Sequence, residues 1–283
     1  MSTPTAKELS LFQETVELLF QLEEERIRVM CKELAQMPEG SLILKPSKGQ
    51  YYFDRYICGK HEPITHDLDL VYKLARKRYL RYKVKEHELA YRRKKDGTIV
   101  ILNPSPMAQK LRELLLKYKN ANLDITRITM TPEQYHWVHS DYDRDEIQEG
   151  ERYYETYSGV RMRSKSERDI GNELELEGIP YRYAQRIMVD VSWIEGVTGN
   201  VFDGNKYYYP DFMIKTMTGQ VIVWEHLGRL DLLRYRNRNM EKFAALRQGK
   251  YCPEEFFILT VESDLEDGNF IRNLIARRIK PYV

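Results

Sequence analysis

The sequence predicts a mixed fold of the α+β or α/β class. Its first half is mainly helical with a small β-hairpin, and its C-terminal half is a mixed sheet between helices. Three observations lead there. Apolar residues recur near helical spacing from Ala6 to Met37, at Leu9, Phe12, Val16, Leu19, Leu22, Ile27 and Met30. From Ser164 onward, apolar runs alternate with helical patterns in the order α-β-β-β-α-β-α. Between the halves, Thr131 to Tyr157 is acidic, aromatic and poorly periodic. Three regions follow: residues 1–130, a linker at 131–163 that packs on the core, and a core at 164–283.

The elements follow in order. Glu23-Glu24-Glu25 interrupts a strict heptad in the first helix, so that helix is expected to pack on its own domain, with a coiled-coil homodimer or a protein partner as the alternative. Pro38-Glu39-Gly40-Ser41 ends it. Strands at Ser41–Lys45 and Tyr51–Cys58 form a hairpin across Pro46-Ser47-Lys48-Gly49. A second long helix covers Asp67 to about Arg93, a turn Lys94–Gly97, and a third helix lies within Pro104 to Asn120. In the core, a helix runs from Ser164 to about Glu177. Strands are expected at Tyr181–Asp190, Tyr207–Lys215, Gln220–His226 and Glu255–Val261, with helices at Arg234–Gln248 and Asn269–Ile279.

Composition narrows the class. The chain has 283 residues and a formal net charge of +2, so global charge does not announce a nucleic-acid partner and local charge must carry that case. Cys31, Cys58 and Cys252 are odd in number and far apart, which speaks against a disulfide framework and for a cytoplasmic setting. The N-terminus lacks a signal-peptide pattern, and no apolar run reaches the length of a membrane span. Cys58, His61, His66 and the pair His136/His139 lack a C-x-x-C partner, which argues against structural zinc.

Chemistry concentrates in the core. Asp211 follows Pro210 in a strand otherwise made of Tyr, Phe, Met and Ile, and Glu225 ends the apolar run Val-Ile-Val-Trp. A carboxylate at the end of a buried strand is unfavourable unless something pairs it. A hard divalent cation pairs two of them well, and Mg2+ or Mn2+ with water in its remaining positions suits phosphodiester hydrolysis. Glu167, three residues after Ser164, alone reads as half of a capping box.

Ser166-Glu167-x-x-Ile170, Tyr209-Pro210-Asp211-Phe212 and Trp224-Glu225-His226-Leu227-Gly228 together resemble the motifs of the PD-(D/E)XK nuclease superfamily. The resemblance covers roughly the last 120 residues and implies a restriction-endonuclease-like αβββαβ core. It implies that Glu167, Asp211 and Glu225 bind Mg2+ or Mn2+. One position departs from the pattern: Leu227 stands where the superfamily has lysine two residues after the third acid. His226, and Lys242 or Arg238 on the next helix, are the candidates for that role, with Gln185 on the first strand. In an ideal strand His226 points away from Glu225.

The most basic stretch is Lys73 to Lys85, where tyrosines interleave with cations. Arg76, Lys77, Arg78, Arg81 and Lys83 are its candidate phosphate contacts. Arg161, Arg163, Lys165 and Arg168 add positive charge beside the expected site. The expected function is a metal-dependent nuclease acting on DNA, less favourably RNA, in bacterial or phage DNA processing or defence. The alternative is a nucleic-acid-binding or partner-recruiting protein with an inactive nuclease-like core.

Overall fold

A computed structural model of the chain describes residues 6–101, 107–190, 204–228, 233–248 and 256–283. Its class is mixed α and β, and it divides into two compact units, residues 1–128 and 129–283. No described helix is long and apolar enough to cross a membrane. Pro104, the first residue of the stretch expected to contain the third helix, and Glu255, the expected start of a strand, lie outside the described residues.

The first unit opens with α1 (Ala6–Ala35), followed by an antiparallel meander of β1 (Ser41–Ser47), β2 (Gln50–Ile57) and β3 (Lys60–Pro63). Lys48 and Gly49 both have positive φ and close β1 on β2 as a two-residue hairpin loop, whose backbone twist matches that of the strands. Then come α2 (Leu68–Ala90), a hairpin of β4 (Tyr91–Arg93) and β5 (Ile99–Ile101), α3 (Ala108–Asn120) and the short α4 (Ile125–Thr129). The strands β3, β4 and β5 were not expected from the sequence. They are four residues or fewer, too short to show a period. Leu42, Val71, Leu74, Ala75, Leu115 and Tyr118 form the buried centre of this unit.

The second unit contains α5 (Pro132–His139), a small hairpin of β6 (Tyr154–Glu155) and β7 (Arg161–Met162), and α6 (Lys165–Leu176). After these come β8 (Tyr181–Tyr183), β9 (Ile187–Asp190), β10 (Asn205–Tyr208), β11 (Phe212–Lys215) and β12 (Val221–Leu227). The chain closes with α7 (Leu233–Gln248), β13 (Phe257–Val261) and α8 (Phe270–Arg278). The main sheet has the order β13-β12-β11-β8. Its neighbours are antiparallel except β12 and β13, which run parallel, as a connection through a helix permits.

Strand alternation splits the core by face. Phe212, Ile214, Ile222 and Trp224 point to one side and pack with Ile170 and Leu174 of α6 and Ile271 and Ile275 of α8. Met213 and Val223 point to the other and pack with Ala245 and Leu246 of α7. Trp224 is fully buried and its indole N–H donates to Thr260 Oγ1 at 2.9 Å.

Two expected long strands are each broken in the middle. The stretch 181–190 is β8 and β9 with Ala184 between them at φ 48°, and the expected strand Tyr207–Lys215 is the end of β10, which begins at Asn205, and all of β11, with Pro210 and Asp211 between them. The two antiparallel strands therefore bend at the same level. The expected linker fills the bend: Arg144 bridges Gln185, and Arg186 N–H donates to the Asp143 carbonyl at 2.7 Å.

Candidate active site

Asp211 owes its place to that bend. The ladder pairs Phe212 with Trp224, so one step further Asp211 stands across from Glu225. The Ala184 N–H donates to the Asp211 carbonyl at 3.1 Å, and the His226 N–H donates to Asp211 Oδ2 at 2.7 Å. Both bonds fix the aspartate, one through its main chain and one through its carboxylate. Asp211 remains partly open to solvent while its carboxylate lies deep among protein atoms.

Glu225 is buried, with 2% of its surface exposed. Desolvation raises its pKa, and the ammonium of Lys242 opposes that rise. Lys242, on α7, brings its Nζ to 2.6 Å from Glu225 Oε1 and donates to Oε2 at 2.8 Å and to the Tyr209 carbonyl at 2.7 Å. The approach to Oε1 lacks hydrogen-bond direction, so among the described residues Oε1 accepts no hydrogen bond. Burial raises the pKa of Asp211 well above the ordinary range, and the charges of Glu225 and Glu167 add to it while Lys242 opposes. Two carboxylates thus stand at opposed ladder positions, and among the described residues the Lys242 ammonium is the cation that opposes their charge.

Glu167 sits in the first turn of α6, whose N-cap is Ser164, with its N–H bonded to Ser164 Oγ at 3.0 Å. Its side chain does not return to the cap. It accepts from the Tyr183 hydroxyl at 2.5 Å, while that hydroxyl accepts from the Arg163 N–H at 3.0 Å. Burial and the neighbouring Glu167 charge push the Tyr183 phenol up, which keeps it protonated and donating. Glu167 is close enough to raise both buried carboxyls.

Among the described residues no three His, Cys, Asp or Glu side chains stand together as a ready-made cage for a metal. The donor set fits a different mode. Two carboxylates, one with an oxygen lacking a hydrogen bond, suit Mg2+, which keeps several waters and takes substrate oxygens in its other positions.

His226 obeys strand alternation. Its ladder partner is Thr260, and its ring is buried on the face away from Glu225. Trp224 N–H donates to Thr260 Oγ1, His226 Nδ1 shares a hydrogen bond with the same hydroxyl at 3.0 Å, and Nε2 lies 3.3 Å from Glu262 Oε1. Ser166 also donates to Glu262, at 2.9 and 3.0 Å. What His226 gives Asp211 is its main-chain N–H. Leu227 is buried on the Glu225 side of the strand, and the ammonium near that carboxylate comes from α7. Gln185, at the bend, has its Oε1 buried without a hydrogen bond among the described residues. The side chain of Arg238 lies outside the described residues.

The basic stretch of α2 is largely taken up by its own unit. Arg76 grips Glu33 and donates to the Ile128 carbonyl at 2.9 Å. Lys77 is buried and donates to the carbonyls of Pro38 and Gly40 at 2.7 and 3.3 Å, and burial lowers its pKa. Lys83 donates to the buried Glu86 at 2.7 Å. Of the expected phosphate contacts, Arg81 is exposed and Arg78 half-buried with its guanidinium 6.0 Å from the Tyr82 ring.

No known protein-family model matches the chain, and neither the curated proteins nor the solved structures gave a significant match.

Proposed function

We propose that the second unit is a divalent-metal-dependent phosphodiesterase of the PD-(D/E)XK kind, with a restriction-endonuclease-like core, acting on nucleic acid and on DNA in preference to RNA. The observation that carries this reading is the pairing of Asp211 with Glu225 at a strand bend, two enclosed carboxylates whose charges are opposed, among the described residues, by Lys242. A protein seldom keeps such a pair for stability, because apolar residues in the same place would serve the fold better. Perturbed acids of this kind concentrate where chemistry needs them.

In this reading Asp211 and Glu225 hold Mg2+ or Mn2+. The ion, when bound, supplies Lewis acidity toward a phosphate oxygen and a water of lowered pKa. The chain's own residues do the rest. The His226 N–H holds Asp211 in one orientation. Lys242, anchored on the Tyr209 carbonyl, keeps a positive charge where negative charge grows on the phosphorane, the role the missing strand lysine would have had. Glu167, oriented by Tyr183, orders the attacking water or a second ion.

The test is cleavage of labelled single- and double-stranded DNA and RNA with Mg2+, Mn2+ or EDTA by the intact chain, Asp211→Ala and Glu225→Ala. Metal-dependent cutting lost in both variants is the expected result. A second reading, a nucleic-acid-binding protein with an inactive core, is favoured by Leu227 alone. Binding without cutting under every metal would select it.

A further inference from the structure

The hairpin β6–β7 pairs only Tyr154 with Met162 and Glu155 with Arg161, and side chains of α6 hold its turn. Its turn is fixed to α6 by Glu175, a carboxylate with no exposed surface. Glu175 accepts from the Ser158 N–H at 2.9 Å, the Ser158 hydroxyl at 2.5 Å and the Tyr181 hydroxyl at 2.9 Å. The Tyr157 N–H donates to Asn172 Oδ1 at 2.8 Å. Gly171 lets the two elements touch: a Cβ there would meet Met162 Cε at 2.6 Å and Thr156 Cγ2 at 3.0 Å. Burial raises the pKa of Glu175, and its hydrogen bonds hold the turn beside Met162, a core residue of the same hairpin.

The outer surface of the same hairpin differs in kind. Arg161 lies 4.5 Å over the Tyr153 ring, and Arg152 lies 5.0 Å over the Tyr154 ring. Arg168, which directly follows Glu167 on α6, approaches Tyr154 at 5.7 Å. Tyr153 is 42% exposed and the Arg161 side chain 61%. Glu155 and Asp169 pair with Arg161 and Arg168, and Arg152 makes no ion pair among the described residues although Glu151 precedes it in the chain. Arg161 meets Glu155 at 3.6 Å in an exposed pair, which contributes little and exchanges readily. Arg168 is bonded to Asp169 at 2.6 Å, leaving Arg152 and Arg161 the freer cations.

We propose that this face binds an unpaired nucleic-acid strand, with a base stacked on Tyr153 and phosphates on Arg152, Arg161 and Arg168, leading the strand to Glu167. A partly exposed ring with a guanidinium over one face offers a single strand a stacking surface for a base and positive charge for its backbone, whereas a duplex hides its base faces. The inference rests on the nuclease reading for its substrate class. It adds the strand state and the entry side.

The test is fluorescence anisotropy of the full chain in EDTA with a short labelled oligothymidylate and a duplex of equal length. Tyr153→Ala is expected to weaken single-strand binding about 5- to 150-fold, the range of one base stack, while Tyr153→Phe stays within about twofold. Arg152→Ala with Arg161→Ala is expected to lower the salt slope by about 1.4, about 0.7 per phosphate contact on single strands. Tyr153 is exposed, so unchanged thermal melts should accompany these losses. Unchanged single-strand binding by Tyr153→Ala, equal losses on strand and duplex, or no strand binding by the wild type would each overturn the proposal. Metal-dependent cleavage is scored separately. Cutting that needs Asp211 with binding indifferent to Tyr153 leaves the nuclease reading standing without this site. Tyr153-dependent binding with no cutting under any metal does the reverse.

Discussion

In the proposed nuclease, Asp211 and Glu225 pull the fold and its chemistry in opposite directions. Both carboxyls have pKa values raised by burial, so the native state holds protons that the unfolded chain has already released. The sign follows from linkage: stability is fullest below the ordinary carboxylate range and falls as pH rises from there through the raised values. Thermal melts in EDTA are expected to show this fall, and Mg2+ is expected to reverse it most at the higher pH. Asp211→Asn removes the charge but keeps an oxygen for the His226 N–H. It is expected to stabilise the metal-free protein by about 1–2 kcal/mol at neutral pH while abolishing cleavage. Lys242→Met is expected to lower turnover about 100- to 1000-fold, with partial recovery in Lys242→Arg. Turnover equal to wild type would mean that α7 does not make up for Leu227. The two acids were legible in the sequence because each closes an apolar run where a charge is out of place. Lys242 was much fainter. A cation on a helix of mixed polarity gives no sign of which face meets the sheet until the helix is placed over it.

At the scale of elements, the faces of the main sheet follow the alternation written in Phe212 to Lys215 and Val221 to Leu227. The breaks do not. Ala184 with positive φ is unfavourable for a residue with a Cβ and has no sequence signature, so 181–190 reads as one strand. Pro210 was the visible half of the matching bend, and its missing N–H is what a break tolerates. The segment 131–163 resisted reading for a related reason. Its order comes from partners far along the chain: Arg182 donates to the Trp137 carbonyl at 2.7 Å and stacks 4.6 Å from both the Trp137 and Tyr142 rings. Two substitutions test the elements. Glu175→Ala removes the acceptor of the Ser158 N–H, the Ser158 hydroxyl and the buried Tyr181 hydroxyl and is expected to destabilise by about 2–3 kcal/mol in urea unfolding. Trp224→Ala opens the centre of the sheet and removes the bond to Thr260, with an expected loss of about 3–5 kcal/mol.

Over the whole molecule, local charge cannot be read as a binding surface without knowing what the fold has already used. The run from Lys73 to Lys85 looked like one basic face. Arg76, Lys77 and Lys83 instead close hydrogen bonds inside the first unit, to Glu33, to the carbonyls after α1 and to Glu86. Arg76→Ala is therefore expected to lower the melting temperature and leave the salt dependence of nucleic-acid binding unchanged. Arg81→Ala, at an exposed position, is expected to spare the fold and reduce the salt slope by about one unit if the first unit also touches the backbone. The division into two units near residue 128 lies close to the change of pattern seen in the sequence, where helical periodicity gives way to aromatic and acidic residues.

The most direct measurement is a time course of DNA cleavage by the intact chain in Mg2+, Mn2+ and EDTA beside Asp211→Ala, Glu225→Ala and Lys242→Met, with folding of each variant verified by thermal melt. Metal-dependent cutting by the wild type, absent in the two acid variants and strongly reduced in the lysine variant, is the expected result. Cutting that persists in folded Asp211→Ala or Glu225→Ala, or nucleic-acid binding with no cutting under any metal, would contradict the assignment of this carboxylate pair as a nuclease centre.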